Sequence, residues 1–139
     1  MAETYEATGF VRALNKVMMF LARMGMGPSS VLTTTGRRTG LSRSVPVSPI
    51  ALDGIEYLVS PYGEVDWVRN VRTTPEVSLM RANRPRFVRL VEVYEPRVVI
   101  AYHEREKFAR QYMDLPAEPT EGDVEARADL FPVFRIEEL

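Results

Sequence analysis

The run Thr33-Thr34-Thr35-Gly36-Arg37-Arg38-Thr39-Gly40, followed by Arg43 and Pro46, gathers residue types that hold an anion. Glycines at both ends of the turn let backbone N–H groups come close to a ligand, the threonine hydroxyls donate, and three guanidiniums offer bidentate forks to phosphate or carboxylate. The GxxxxGK(S/T) spacing of a Walker loop is absent, so the segment is an anion site of another kind or a basic hairpin tip. A second cluster, Ser60-Pro61-Tyr62-Gly63-Glu64-Val65-Asp66-Trp67-Val68-Arg69-Asn70, carries the only tryptophan and an amide three residues on. On a helix Trp67 and Asn70 share a face, and they either line a pocket or act as a core anchor and a turn satisfier. His103, the single histidine, stands among Glu104, Arg105, Glu106 and Lys107 and reads as a solvated surface residue. With no cysteine and no second histidine, a conventional zinc site is not expected, and a thiolate nucleophile and an iron–sulfur cluster are excluded. The pairs Glu104/Glu106 and Glu137/Glu138 do not converge on a helix face, so no acid–base pair and no catalytic side chain stands out.

Elements must bring these residues together. The 139 residues, 45% hydrophobic and 27% charged, suit a single domain over 1–139 with a real core and no need of disulfides. The net charge of -1 conceals a layout: no acid lies between Glu6 and Asp53, while Arg12, Lys16, Arg23, Arg37, Arg38 and Arg43 fall inside that stretch. Such asymmetry points to a local anion site or a membrane surface and away from a nucleic-acid partner. The excess of arginine over lysine is compatible with a GC-rich genome.

Residues 4–26 read as an amphipathic helix, since Phe10, Leu14, Val17, Leu21 and Met24 recur at the spacing of one face, and Gly25, Gly27 and Pro28 end it. It is too interrupted by Arg12, Asn15, Lys16 and Arg23 to span a bilayer and lacks the pattern of a signal peptide. It either packs on a sheet or rests, as a basic amphipathic helix, on an anionic membrane where it could gate a lipophilic substrate. Strands are expected over 30–35, 42–52, 55–60, 77–81, 86–94 and 132–136. The Gly36–Gly40 turn, Asp53-Gly54 and a turn over 82–85 join them as hairpins. Pro46 and Pro49 require the second strand to be an edge, bulged or bent. Helices are expected over 65–73 and 96–112, with a mostly irregular stretch over 114–129. Six strands joined mainly by hairpins, with helices against them, make an α+β fold built on a small antiparallel barrel.

The Leu32–Gly40 run, with Arg43, Pro46 and Val47, then Tyr57-Leu58-Val59-Ser60, Trp67, Asn70 and Pro75-Glu76-Val77, resembles the deazaflavin-dependent nitroreductase family. This is the A-type branch of the coenzyme F420-dependent oxidoreductases of actinobacteria. The resemblance implies a split β-barrel related to FMN-binding, pyridoxamine-phosphate-oxidase-like proteins. It also implies coenzyme F420, an 8-hydroxy-5-deazaflavin, as cofactor in preference to FMN. Carried over by residue, Arg37, Arg38, Thr39 and Arg43 would receive the phosphate and polyglutamate-bearing tail. Val45, Pro46, Val47 and Ser48 would run beside the ring, and Ser60, Trp67 and Asn70 match positions that contact ring or phosphate. Tyr102 and Tyr112 are candidates for the substrate side. The cofactor would donate hydride to a small lipophilic acceptor such as a quinone, enone or nitroaromatic, with the protein supplying orientation and exclusion of water. The chain departs from the family in its short loop 61–66, where Glu64 and Asp66 suit a phosphate site only if they point away or pair with Arg69. A rival function is a non-catalytic carrier holding a fatty acid or other amphiphile in the same groove by Arg37 and Arg38. A cytoplasmic protein, peripherally bound to the membrane in one reading, is expected; oligomeric state is left open.

Overall fold

A computed structural model describes residues 9–26 and 29–139. Its elements are α1 (Gly9–Arg23), β1 (Ser30–Thr35), β2 (Ser42–Val47), β3 (Ile50–Leu52), β4 (Ile55–Val59), α2 (Asp66–Thr73), β5 (Glu76–Arg81), β6 (Arg84–Val93), α3 (Pro96–Arg105), α4 (Lys107–Arg110), α5 (Glu121–Glu125) and β7 (Val133–Glu138). A 3-10 turn over Ala128–Leu130 precedes β7. The strands form one antiparallel sheet in the order β2-β1-β5-β6-β7-β4-β3.

This order explains the two prolines. The expected strand over 42–52 is two strands, so the sheet has seven, and the break at Ser48-Pro49 carries the chain from one edge of the sheet to the other. Three Cα steps from Val47 to Ile50 reach at most about 11 Å. Seven flat strands would separate the edges by about 29 Å. The sheet must therefore curl until its edges approach, which is the split barrel expected from the sequence. Pro46 sits on an edge strand, where its missing N–H costs no ladder bond.

Curling gives the sheet two buried faces. Leu32, Leu58, Val77, Leu79, Val88, Leu90, Phe134 and Ile136 point inward and are closed over by Trp67, Val68 and Val71 of α2. The opposite face, through Ile50, Tyr57, Val59 and Val133, packs on Val98, Val99 and Tyr102 of α3, Ala109 of α4 and Val124 of α5. Successive residues of β4 thus enter different cores, which is why Tyr57-Leu58-Val59 is apolar without alternation.

Two helices differ from expectation. Residues 4–8 of the expected first helix lie outside the described residues. Over the rest, α1 does not bury the face made by Phe10, Val17 and Met24: Phe10 is 73% exposed and Phe20 62%, while Val11 and Ala22 are the buried positions. The helix lies across β1, β2 and β5. Its C-terminus is a Schellman cap: Met26 N–H donates to Leu21 O (2.8 Å) and Gly25 N–H to Ala22 O (3.0 Å), with Gly25 at φ 76°. The helix expected over 96–112 breaks at Glu106, whose φ of -100° and ψ of 88° leave the helical region. Arg110 reaches back across the break, donating from Nε to His103 O (2.7 Å) and from a terminal nitrogen to Glu104 O, and so satisfies carbonyls at the end of α3. His103 is a correction: it is 3% exposed, not solvated. Burial, with the Arg110 guanidinium nearby, holds its imidazole below the ordinary histidine range.

Candidate functional site

Residues of α1, the β1–β2 hairpin, the segment 59–70 and the α3–α4 junction enclose a cleft of about 880 Å³. That volume is ample for a cofactor with a conjugated ring.

One end is built by the Gly36–Leu41 turn. Gly36 N–H donates to Leu41 O and Gly40 N–H to Gly36 O, each at 2.8 Å. A Cβ on Gly36 would lie 2.9 Å from Leu41 O, so the closure tolerates glycine alone. The Thr39 hydroxyl accepts from Leu41 N–H at 3.2 Å. Asn70, 2% exposed, fastens this turn to α2. Its Oδ1 accepts from the Arg37 backbone N–H (3.1 Å) and from an Arg37 guanidinium nitrogen (2.9 Å), and its Nδ2 donates to Thr34 Oγ1 (3.1 Å). Arg37 is also 3.4 Å from Asp66, which lies 3.9 Å from Arg69. Glu64 turns to Arg72 (2.9 Å), which also clamps Glu92, and the Arg72 guanidinium lowers the Glu64 carboxyl below its usual range. Thus Asp66 engages Arg37 as well as the anticipated Arg69, and Glu64 pairs with a different arginine. Arg38 and Arg43 line the same end, and neither makes an ion pair or a side-chain hydrogen bond among the described residues.

The wall is β2. Arg43, Ser44, Val45, Pro46, Val47 and Ser48 all line the cleft, over a length of about 17 Å at the rise of a strand. Trp67 combines both roles left open for it: it is buried against Phe134, ring centroids 5.5 Å apart, and still reaches the cleft.

The far end, beyond Ser48, is formed by Tyr62, Tyr102, Glu106, Phe108 and Ala109. Burial drives the Tyr102 hydroxyl well above the tyrosine range, with the Glu106 charge and Tyr62 adding to it. Burial also raises the Glu106 carboxyl, against a hydrogen bond from Ser48 that lowers it. Thr34 and Tyr62, which stand within the two runs picked out in the sequence, also line the cleft, together with Ser44, which the sequence does not single out, and Glu106, which it offers only as half of the Glu104/Glu106 pair. A helix break exposing a carboxyl leaves no mark in periodicity.

Two candidates are placed elsewhere. Ser60 is fully buried, its hydroxyl donating to Gly63 O at 2.6 Å, and it shapes the loop while Val59 and Pro61 line the cleft. Tyr112 is not in the lining; its ring packs edge-on against Tyr62 (5.7 Å) and against Phe108 (5.6 Å), which are. Among the described residues no group of His, Asp and Glu could hold a metal ion.

A curled antiparallel sheet with an elongated cleft, cationic at one end and apolar along its wall, defines a split barrel suited to a ring cofactor with an anionic tail. The donor set fits: two unpaired guanidiniums stand at the tail end, and Ser29, which also lines the cleft, has a buried hydroxyl without a hydrogen-bond partner among the described residues. The chain belongs to the F420H(2)-dependent quinone reductase family, whose match spans residues 6–114, and its cofactor is coenzyme F420. No curated relative matches the sequence. Solved structures with the same fold include a protein of unknown function from Agrobacterium tumefaciens (TM-score 0.58, 14% identity, 96% of this chain and 57% of that one). A NimC/NimA family protein from Clostridium acetobutylicum is similar over 87% of this chain and 77% of its own (0.57, 15%). A pyridoxamine 5′-phosphate oxidase-like protein from Listeria innocua covers 86% and 90% (0.53, 16%).

Proposed function

We propose that this chain is a reductase of the A-type branch that delivers a hydride from reduced F420 to a small lipophilic acceptor, a quinone, enone or nitroaromatic. The observation that carries the reading is the polarity of one cleft. Arg38 and Arg43, unpaired among the described residues, stand at one end, Val45, Pro46 and Val47 give β2 an apolar stretch of wall, and an aromatic chamber closes the other end. Arg38, Arg43 and Thr39 hold the phosphate and the acidic tail. Arg37, already engaged by Asn70 and Asp66, orients the turn and adds positive potential. Val45–Ser48 and Trp67 bracket the ring, so that it docks without rearranging the core. Tyr102 and Phe108 exclude water around the acceptor, and Tyr112 acts behind them by fixing Tyr62 and Phe108.

The test is titration of the protein into oxidised F420 with the cofactor's fluorescence as signal. Binding in the micromolar range at low salt is expected, with Arg38→Ala and Arg43→Ala each weakening it about tenfold through loss of a charge-assisted contact of about 1.5 kcal/mol. Absence of binding at low salt, or preferential binding of FMN or a fatty acid, overturns the reading.

The same protein works in the cytoplasm as one domain and touches the membrane from which lipophilic acceptors come. Phe10, Val17, Phe20 and Met24 make an exposed apolar stripe on α1, flanked by Arg12, Lys16 and Arg23. An apolar stripe beside cations is the pattern of an interfacial helix, and among the described residues no helix is long and apolar enough to cross a membrane. Phe10→Ser with Phe20→Ser should reduce co-sedimentation with anionic vesicles. Equal sedimentation of variant and parent would remove the membrane role.

A further inference from the structure

Adding hydride to a carbonyl leaves an oxyanion, and a proton must follow it. The cationic end of the cleft has no acid suited to that task, since Asp66 and Glu64 are engaged by arginines. At the other end Glu106 stands where α3 breaks, and the break itself turns its carboxyl into the chamber lined by Tyr62, Tyr102, Phe108 and Ala109. We propose that Glu106 is the proton donor to the reduced acceptor, with Ser48 as the positioning residue that holds its carboxyl at the end of the ring-binding strand. The proposal rests on the reductase reading above.

The surroundings favour the neutral form of the acid over what glutamate shows in water. On α3, Glu104 is exposed and Arg105 donates to Ala51 O. On α4, Lys107 is exposed and Arg110 is held by the carbonyls of His103 and Glu104. The segment Ser44–Leu52 opposite carries no charge, and the 60–64 loop contributes Tyr62 together with a Glu64 already paired to Arg72. No cation thus stabilises the carboxylate among the described residues that face it, and burial favours the neutral acid. Burial holds Tyr102 beside it in its neutral form as well, above the tyrosine range, so its hydroxyl puts no negative charge on the chamber.

The balance closes. The acceptor gains a C–H or O–H bond from the hydride, with its electron pair, and its carbonyl oxygen takes the proton from Glu106 Oε. The resulting carboxylate is held by the Ser48 hydroxyl and regains a proton from water or from the one the reduced ring releases on oxidation. In sum the cofactor loses a hydride and a proton, the acceptor gains both, and Glu106 ends as it began.

Two measurements decide the matter. In the cofactor-free protein, the Glu106 side-chain carboxyl followed by carbon NMR should titrate above the ordinary glutamate range, and Ser48→Ala should move it higher still. In the F420-loaded protein, Glu106→Gln should lower kcat about 100-fold or more, leave the fluorescence-measured F420 affinity unchanged, and abolish a pH profile in which kcat falls as pH rises through the Glu106 pKa. Glu106→Asp should restore part of the rate and the pH dependence. An ordinary Glu106 titration, or an F420-binding Glu106→Gln protein with unaltered kcat and pH profile, overturns the proton donor alone. Failure of the parent protein to bind F420 removes both readings.

Discussion

The sequence resemblance implies that Asn70 contacts the cofactor, yet both of its polar atoms are committed within the protein, to Arg37 and to Thr34. Its contribution to binding is therefore indirect: it sets the turn from which Arg38 and Thr39 project. Asn70→Ala should leave the part-buried Arg37 N–H and the buried Thr34 hydroxyl without that partner, lowering stability by about 1–3 kcal/mol in urea denaturation, and should weaken F420 binding as well. A variant of full stability with reduced affinity would assign Asn70 a direct contact instead. Spacing alone could relate Trp67 to Asn70 but could not tell which atoms their partners were, because Thr34 and Arg37 come from a strand and turn more than thirty residues earlier. His103 was hidden for the opposite reason: charged neighbours on all sides suggested exposure, whereas its own position on α3 faces inward. Its pKa is depressed by burial, so the unfolded chain takes up a proton first as the pH drops below about 6.5. The stabilising contribution is complete above that pH and is lost as the pH falls through the folded value. Melting temperature should decline over this window, and His103→Leu should flatten that part of the profile.

At the level of elements, the hairpins were legible because their turn residues are local. Asp53-Gly54 adopts positive φ at both positions, 53° and 78°, as the dipeptide demands. The β5–β6 turn was less clear, since Ala82 (φ 53°) and Asn83 (φ 57°) occupy the left-handed region without a glycine. That turn is held from outside: Ala82 N–H donates to Ala22 O at 2.9 Å, and Arg81 donates to Gly25 O and Ser29 O. The end of α1 and this hairpin therefore support each other. A Cβ at Gly25 would stand 2.8 Å from the Ala82 Cβ in addition to straining a φ of 76°. Gly25→Ala should cost about 2 kcal/mol or more by thermal denaturation, strain and clash together. A change below about 0.5 kcal/mol would mean the cap is not fastened to the hairpin. The two readings of α1 stayed open because helical periodicity reports an apolar stripe without saying what covers it. Here the sheet takes Val11 and Ala22, and leaves Phe10 and Val17 outside.

For the whole molecule, the decisive feature was written in two residues, Ser48 and Pro49. A single strand over 42–52, made an edge, bulged or bent by Pro46 and Pro49, accounts for the edge but not for the joining of opposite edges of the sheet at Ser48-Pro49, a fact set by long-range pairing of β1 with β5 and β4 with β7. Because the edges must meet there, the cleft runs beside the seam of the barrel and is walled by pieces of both cores: Trp67 from the inner one, Tyr102 and Ala109 from the outer one. A ligand lying along β2 touches both, so it should stabilise the protein as a unit and not only the turn that holds its tail. Mass action sets the size of the effect: F420 at 100 times its dissociation constant adds about 2.7 kcal/mol. For a chain of this length that raises the melting temperature by roughly 5–10 °C. The transition should stay single, and the shift should be lost in the Arg38→Ala, Arg43→Ala double variant. It should also shrink with added salt, since the guanidiniums that start the contact are solvent-facing and screened over about 8 Å at 0.15 M. Two separate transitions with ligand bound, one shifted and one not, would show that the cleft engages only one core and that the seam does not couple them.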